Sequence, residues 1–341
     1  MKLGTTYAVL RTHARISDLL DQEQMRRLAE APDIVDFLGR LKETPYGAVE
    51  VKIDDKLALS LEKVFIEKFT ERIESIVKIT PTKMGEFLRA YFNLRFEVVN
   101  LKRILRGKFT ESPEEEIRDS LIPITPYLID SYDMLIHAES LEEAVVLLER
   151  TPYGELVEKL DIYREHDALW PLELALNHIY AKRTMSLGKE LPPRNQHIVD
   201  SLAKFETDVE NILVALKRRG RKDVDLEEMF PVTYYVDMKV LQNVIEAESL
   251  GTAIDGLEEP YRGVMEPIKT GDIALVRAMV RKGKYETASK ARAGDEFGFN
   301  VVLAFLVYSE IEKDNLVGLS WGKVQGLGSE ELMKYIVIPW D

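Results

Sequence analysis

One turn is written three times in this chain. Pro45-Tyr46-Gly47 lies in KETPYGAVE, Pro152-Tyr153-Gly154 in ERTPYGELVE, and the variant Pro260-Tyr261-Arg262-Gly263 in LEEPYRG. The tyrosines are 107 and 108 residues apart. One such match means little, but three at a single period make the chain an array, which constrains the fold more than local propensity does. The flanks keep step: AESLEEAVVLLERTPYG (138–154) parallels AESLGTAIDGLEEPYRG (247–263). Ser140 and Glu143 have the Ser-x-x-Glu spacing of a capping box. The proline disfavours helix in the residue before it, and the glycine tolerates a tight turn. The unit therefore reads as a short amphipathic helix, a turn and a second helix. Tyr46, Tyr153 and Tyr261 are expected to bury their rings and hydrogen-bond their hydroxyls; a ligand platform is the alternative role.

A second motif recurs in phase. EVVNLKRILRGK begins at Glu97, DVENILVALKRRG at Asp208 and EKDNLVGLSWGK at Glu312. Each has an acid, two residues, then Asn100, Asn211 or Asn315 and an aliphatic residue. Tyrosine to asparagine is 54, 58 and 54 residues. Acid and asparagine at i and i+3 share one helix face. A buried polar pair that fixes helix packing explains why the motif occurs three times, whereas a single active site needs one copy. Gly107, Gly220 and Gly322 then suggest helix ends, before apolar segments that stop at Pro123, Pro231 and Pro339. The chain divides into helical repeats 1–123, 124–231 and 232–341. No flexible linker separates them, so they are expected to pack as one body.

The fold class is all-α. In DKLALSLEKVFIEKFTERIESIVKI the apolar residues fall three and four apart, one stripe of a helix. Gly 19 and Pro 14 are few in 341 residues. YIVIP (335–339) is the one short β-branched run, too little for a sheet. FGFNVVLAFLVY (297–308) reads as a buried helix and is too short to span a bilayer.

Chemistry is hard to find. With Cys 0, disulfides, thiolate metal sites and cysteine nucleophiles are excluded. The five histidines show no zinc spacing. Glu165, His166 and Asp167 are consecutive and point apart on a helix, as a solvated patch does. GLSWGKVQ (318–325) lacks the glycine spacing and the hydroxyl of a phosphate loop. We expect no catalytic, cofactor-binding or metal residue. A net charge of −13 argues against nucleic acid and against broad adhesion to anionic lipid. No secretory leader is evident at the start of the chain. The asparagine helices end in basic residues, Arg106 and Lys108, then Lys217, Arg218, Arg219, Arg221 and Lys222, then Lys323. Cations complement a helix C-terminus, but five in the six residues of KRRGRK exceed what a cap requires. That tip is a candidate contact with an acidic partner.

At these residues the chain resembles the C-subunit family of the A-type (archaeal and bacterial V-type) ATP synthases, relatives of the d-subunit of the vacuolar proton pump. The resemblance runs through YAVLRTHARISDLL (7–20), RFEVVNLKRILRGK (95–108), the Pro-Tyr-Gly turns and EIEKDNLVGLSWGK (310–323), and covers essentially the whole chain. It departs after Leu316, where Val317 and Gly318 stand in place of the family's arginine. The resemblance implies a funnel of three similar helical domains about a pseudo-threefold axis, without a catalytic site. It also implies a peripheral place on the cytoplasmic face of the cell membrane, joining the central shaft to the membrane rotor ring in proton or sodium transport. The other reading is an unrelated α-helical repeat scaffold that binds protein partners.

Overall fold

The structure is a computed structural model that describes residues 4–221 and 225–337. Among them every regular element is a helix. The first stretch contains α1 (Thr5–Ile16), α2 (Gln22–Ala29), α3 (Ile34–Leu41), α4 (Leu57–Val77), α5 (Thr82–Phe109) and α6 (Glu114–Ser120). The second has α7 (Asp133–Ile136), α8 (Leu141–Val146), a 3-10 turn (Gly154–Lys159), α9 (Leu160–His166), α10 (Trp170–Lys189), α11 (Pro193–Lys217) and α12 (Leu226–Met229). The third has α13 (Met238–Glu246), α14 (Leu250–Asp255), α15 (Tyr261–Met265), a 3-10 turn (Glu266–Thr270), α16 (Ile273–Gly294), α17 (Phe299–Val324) and α18 (Ser329–Met333). Each stretch thus carries a long helical hairpin (α4–α5, α10–α11, α16–α17) preceded by short helices and followed by one more.

The short helices begin for local reasons. Asp33, Ser140 and Ser249 are extended and accept from the backbone N–H three residues on, satisfying a donor that a helix start leaves free. The capping box expected at Ser140 is only half made. Ser140 accepts from Glu143 N, but the Glu143 carboxylate takes the N–H of Glu139 instead of that of Ser140. A complete box forms at Asp21 and Gln24, ahead of α2.

Two glycine expectations need correction. Gly107 and Gly322 do not end helices; they lie inside α5 and α17. A Cβ there would strike Ile117 of α6 and Leu332 of α18, so these glycines let the following short helix pack close to the long one. Of the three, only Gly220 lies beyond a helix end with the left-handed backbone, φ +78°. Pro339, expected to close the last apolar segment, lies outside the described residues.

Packing is arranged at two levels. The halves of the hairpins nearest their turns meet in a central core rich in Phe69, Phe87, Tyr91, Phe92, Phe299 and Phe305. Phe69 meets Phe92 edge to face at 5.7 Å, and Phe87 meets Phe299 at 6.3 Å, spacings typical of paired aromatic rings. Val301 to Tyr308 of α17 are all buried, as a helix apolar on every side must be. Phe297, at the start of the same apolar run, is 77% exposed. Three outer cores surround the centre. One joins the far half of α5 to residues 129–179, one the far half of α11 to residues 226–276, and one the far end of α17 to residues 20–65. Each outer core therefore takes its long helix from one stretch and its short helices from the next, and the last closes on the first.

The Pro-Tyr-Gly glycines are required by contact rather than by φ. A Cβ on Gly154 would lie 2.5 Å from the Glu149 carbonyl oxygen, and one on Gly47 2.5 Å from that of Lys42. Gly39, inside α3, has nothing within 4 Å of a built Cβ. Gly154→Ala is expected to destabilise by about 1–3 kcal/mol, because backbone must move. Gly39→Ala is expected to stabilise by about 0.5–1 kcal/mol through helix propensity. Denaturant titration of both variants checks the opposite signs.

Candidate functional site

The three tyrosines meet the three acids, but each takes the acid of a different stretch. Tyr153 donates to Glu97 at 2.7 Å, Tyr261 to Asp208 at 2.8 Å and Tyr46 to Glu312 at 2.8 Å. Loop N–H groups donate to the same carboxylates: Tyr127 and Leu128 to Glu97; Tyr234, Tyr235 and Val236 to Asp208; Leu20 to Glu312. One turn along each helix, the asparagine amide holds the backbone of the segment that follows. Asn100 Nδ2 donates to Ile122 O at 2.9 Å, Asn211 Nδ2 to Val232 O at 2.8 Å and Asn315 Nδ2 to Val337 O at 2.6 Å. Ile122 and Val337 return their N–H groups to the asparagine Oδ1 atoms. Acid, asparagine and tyrosine together form a clasp, which pins the far half of a long helix to two separate loops.

Burial pushes the Glu97 and Asp208 carboxyls above the ordinary range, although their tyrosine and backbone donors pull the other way. Burial also raises the Tyr153 and Tyr261 hydroxyls, helped by those same acids, so both stay protonated and donate. The third clasp is different: Arg72 Nη1 reaches Glu312 Oε1 at 2.6 Å.

A second polar cluster was not anticipated from sequence. Arg95, Glu206 and Glu310 each stand five residues before the clasp asparagine, and the three meet. Arg95 pairs with Glu206 at 2.7 Å and with Glu310 at 2.9 Å. Lys284 pairs with both glutamates, Tyr91 donates to Glu206 at 2.6 Å, and Arg95 donates to the Tyr180 hydroxyl at 3.0 Å. Burial alone would raise the Glu310 carboxyl, but Lys284 and Arg95 outweigh it and hold the pKa down at about 2. Glu206 is lowered for the same reason, with Arg95 its foremost cation. Extending the repeat comparison to the fifth residue before each asparagine would have found this set, as three charged residues at one register position.

The basic tips work partly within the chain. Lys108 donates to the carbonyls of Ile136 and Ala138, Arg219 to those of Ala247 and Glu248, and Lys323 to the Ser329 hydroxyl. The guanidinium of Arg218 lies 4.4 Å from the centre of the Trp170 ring. Lys217 and Arg221 remain exposed, and Lys222 lies outside the described residues. Glu165, His166 and Asp167 are exposed at the end of α9. Among the described residues no group of three or more His, Asp or Glu side chains is placed to hold a metal ion.

The sequence profile of the ATP synthase (C/AC39) subunit family matches residues 8–335. The chain belongs to the ATP synthase (C/AC39) subunit family. Its relatives include the A-type ATP synthase C-subunit of Methanocaldococcus jannaschii, 26% identical over 97% of this chain and 86% of that one. Those of Archaeoglobus fulgidus and Halorubrum lacusprofundi are each 25% identical over 97% of this chain and cover 96% and 97% of their own lengths. No helix among the described residues is long and apolar enough to cross a membrane. His178, buried in α10, is held down at about 4 by burial and by the cations Lys182 and Lys159, and stays neutral near pH 7.

Three outcomes follow from this geometry. Tyr153→Phe removes one donor from a buried carboxylate and should cost about 1–3 kcal/mol. A cycle of Tyr46→Phe with Glu312→Gln, read by denaturant titration, should give a coupling energy of about 0.5–3 kcal/mol; additive effects would mean that the pair does not interact. For Glu206 and Glu310 the folded pKa lies below the unfolded one. Their contribution is therefore present above about pH 4.5 and is lost as pH falls through that range toward 2. Glu310→Gln should make stability less dependent on pH in that window, measured as denaturation midpoints from pH 5 downward.

Proposed function

We propose that this chain is the non-catalytic central-stalk subunit that seats the central shaft of a rotary A/V-type ATP synthase on its membrane rotor ring. The observation that carries the reading, beyond family membership, is the closed circuit of clasps. Tyr153 takes the acid of the first stretch, Tyr261 that of the second, and Tyr46 that of the third. A chain of three similar domains, 1–123, 124–231 and 232–341, closed about a pseudo-threefold axis, transmits torque without relative slip of its parts. Such a part needs stiffness and two docking faces, and no nucleophile. Stiffness is supported by the aromatic core and by buried aliphatic side chains, each contributing about 1.5–3 kcal/mol. The arginine in one repeat and the glutamates in the other two make the copies non-interchangeable, which favours one fixed orientation of the shaft.

In this reading the subunit is peripheral on the cytoplasmic face of the cell membrane, and its partners are the shaft subunits and the rotor ring. The coupled ion is a proton or sodium. Reconstitution with and without the chain tests this. Without it, ATP hydrolysis by the catalytic head should continue while ATP-driven ion transport is lost; transport that stays coupled refutes the proposal.

The tip of α11 is the proposed contact with an acidic partner protein, now narrowed to the exposed Lys217 and Arg221. Arg219 belongs to a loop contact and Arg218 stacks on Trp170. Lys217→Glu with Arg221→Glu should weaken assembly in a salt-dependent manner, with a loss of fold stability no larger than the about 0.3–1 kcal/mol of a cation at a helix C-terminus. Affinity that stays the same at every salt concentration would leave these cations with helix capping alone.

A further inference from the structure

The hairpin turns 78–81, 190–192 and 295–298 lie together at one end of the molecule, with α1 laid beside them. Thr5 of α1 touches Met84 just after the first turn, the hydroxyl 3.8 Å from sulfur. Lys83 of the first hairpin pairs with Glu190 of the second turn at 3.7 Å. His13 of α1 lies 3.0 Å from the carbonyl of Glu296 in the third turn. Phe87 packs on Phe299 beneath them. These four contacts make one continuous face from segments far apart in the chain.

That face is apolar, and it is basic on a chain whose net charge is negative. Phe297 is 77% exposed, Leu10 59% and Tyr7 42%. Helix α1 buries Ala8, Val9 and Thr12 inward and turns Tyr7, Leu10 and Ala14 outward, at the spacing of one helix face. Around them stand the exposed cations Arg11, Lys78, Lys83, Lys189, Arg194 and Lys290. The acids there are Glu86, Glu190, Asp295 and Glu296. The local balance is positive on a chain of net charge −13. The overall charge argues against adhesion to anionic lipid only if all of it is felt at the contact. Helix α5 is 28 residues long, about 40 Å at 1.5 Å per residue, and charges beyond about 8 Å are largely screened at physiological salt. The charge at this end therefore decides what binds it.

We propose that the face built from the three hairpin turns and α1 docks on an anionic lipid bilayer. Phe297, Leu10 and Tyr7 enter the headgroup layer, and Arg11, Lys189, Arg194 and Lys290 meet the lipid phosphates. An aromatic and aliphatic wedge ringed by long cationic side chains is the chemistry that binds an interface without spanning it. The charge complementarity selects acidic headgroups, because each basic side chain near such a surface adds attraction that salt removes. The proposal does not depend on the stalk reading, since vesicle binding needs no other protein.

The test is flotation of the purified full chain with vesicles of phosphatidylcholine alone and of an equal mixture of phosphatidylcholine and phosphatidylglycerol. Binding to the mixed vesicles should exceed that to the neutral ones and fall as salt rises. Lys189→Glu with Arg194→Glu should lower it roughly tenfold or more, the scale of two cations at an anionic surface. Leu10→Ser with Phe297→Ser should lower it as well. Lys217→Glu with Arg221→Glu, at the opposite end, should leave it unchanged. All these side chains are exposed, and matching circular dichroism and melting curves verify the fold. Because the chain has no cysteine, Phe297→Cys can carry a single environment-sensitive dye, whose emission should shift to the blue on the mixed vesicles alone. No preference for the anionic vesicles, equal loss in the opposite-end variant, or an unshifted dye overturns the proposal. Capture of a detergent-purified rotor ring that these variants abolish, with no vesicle binding, overturns it in favour of a protein partner.

Discussion

A carboxylate taken out of water must be matched by donors aimed at it, or the fold loses several kcal/mol. Glu97, Asp208 and Glu312 are each almost fully enclosed, and each is met by a tyrosine hydroxyl and by at least one loop N–H group. The donors come from two places in the chain, so the long helix, the loop after it and the tyrosine turn must all arrive together. A carboxylate has room for several donors and needs most of them. That makes the clasp selective: a long helix docked on the wrong short helices would bury an acid without partners.

The three clasps face unequal entropic costs. Tyr153 and Glu97 are 56 residues apart and Tyr261 and Asp208 are 53, but Tyr46 and Glu312 are 266 apart. Loop closure grows with the logarithm of length, so the last clasp costs about 1.4 kcal/mol more than the first. This is also the clasp that holds a cation. Arg72, 17% exposed, reaches Glu312, 3% exposed, and a hydrogen bond to a charged group contributes about 1.5–3 kcal/mol. The extra ion pair is of the size needed to offset the longer closure. The Arg95, Glu206, Glu310 and Lys284 cluster acts differently. Buried ion pairs add little net stability over a well-packed apolar core, yet removing one partner costs about 3–5 kcal/mol. The cluster thus ties the identity of one residue in each repeat to the other two.

Much of this was legible, and the limits have physical causes. Periodicity exposed the helices, and the recurring tyrosine and asparagine exposed the repeat. Spacing could not say which acid a tyrosine meets, because Tyr46 and Glu97 share a stretch while the bond runs to Glu312. Periodicity reports which residues are equivalent, and contacts between equivalent sets are decided by how the copies pack. Gly107 and Gly322 misled because glycine marks both a helix end and a close helix contact. Arg95, Glu206 and Glu310 stayed hidden because repeat matching rewards identity, while a charge cluster requires opposite signs at one position. Arg219 resembled surplus charge until the carbonyls of Ala247 and Glu248 gave it a local role.

The unit that repeats in sequence and the unit that packs are consequently offset by about half a repeat. Residues 1–123 contain Tyr46 and Glu97 but the partner of neither. The outer cores join residues on both sides of 123 and of 231, and the third joins the chain's last long helix to its first short ones. Such an offset has a mechanical consequence. If each repeat packed only on itself, the copies would be held together by their mutual surfaces and could rotate as separate bodies. Here each boundary between repeats falls inside a packed core, so moving one copy against the next requires a clasp to open and an acid to lose its donors. Rigidity between the copies then comes from the same buried hydrogen bonds that specify the fold.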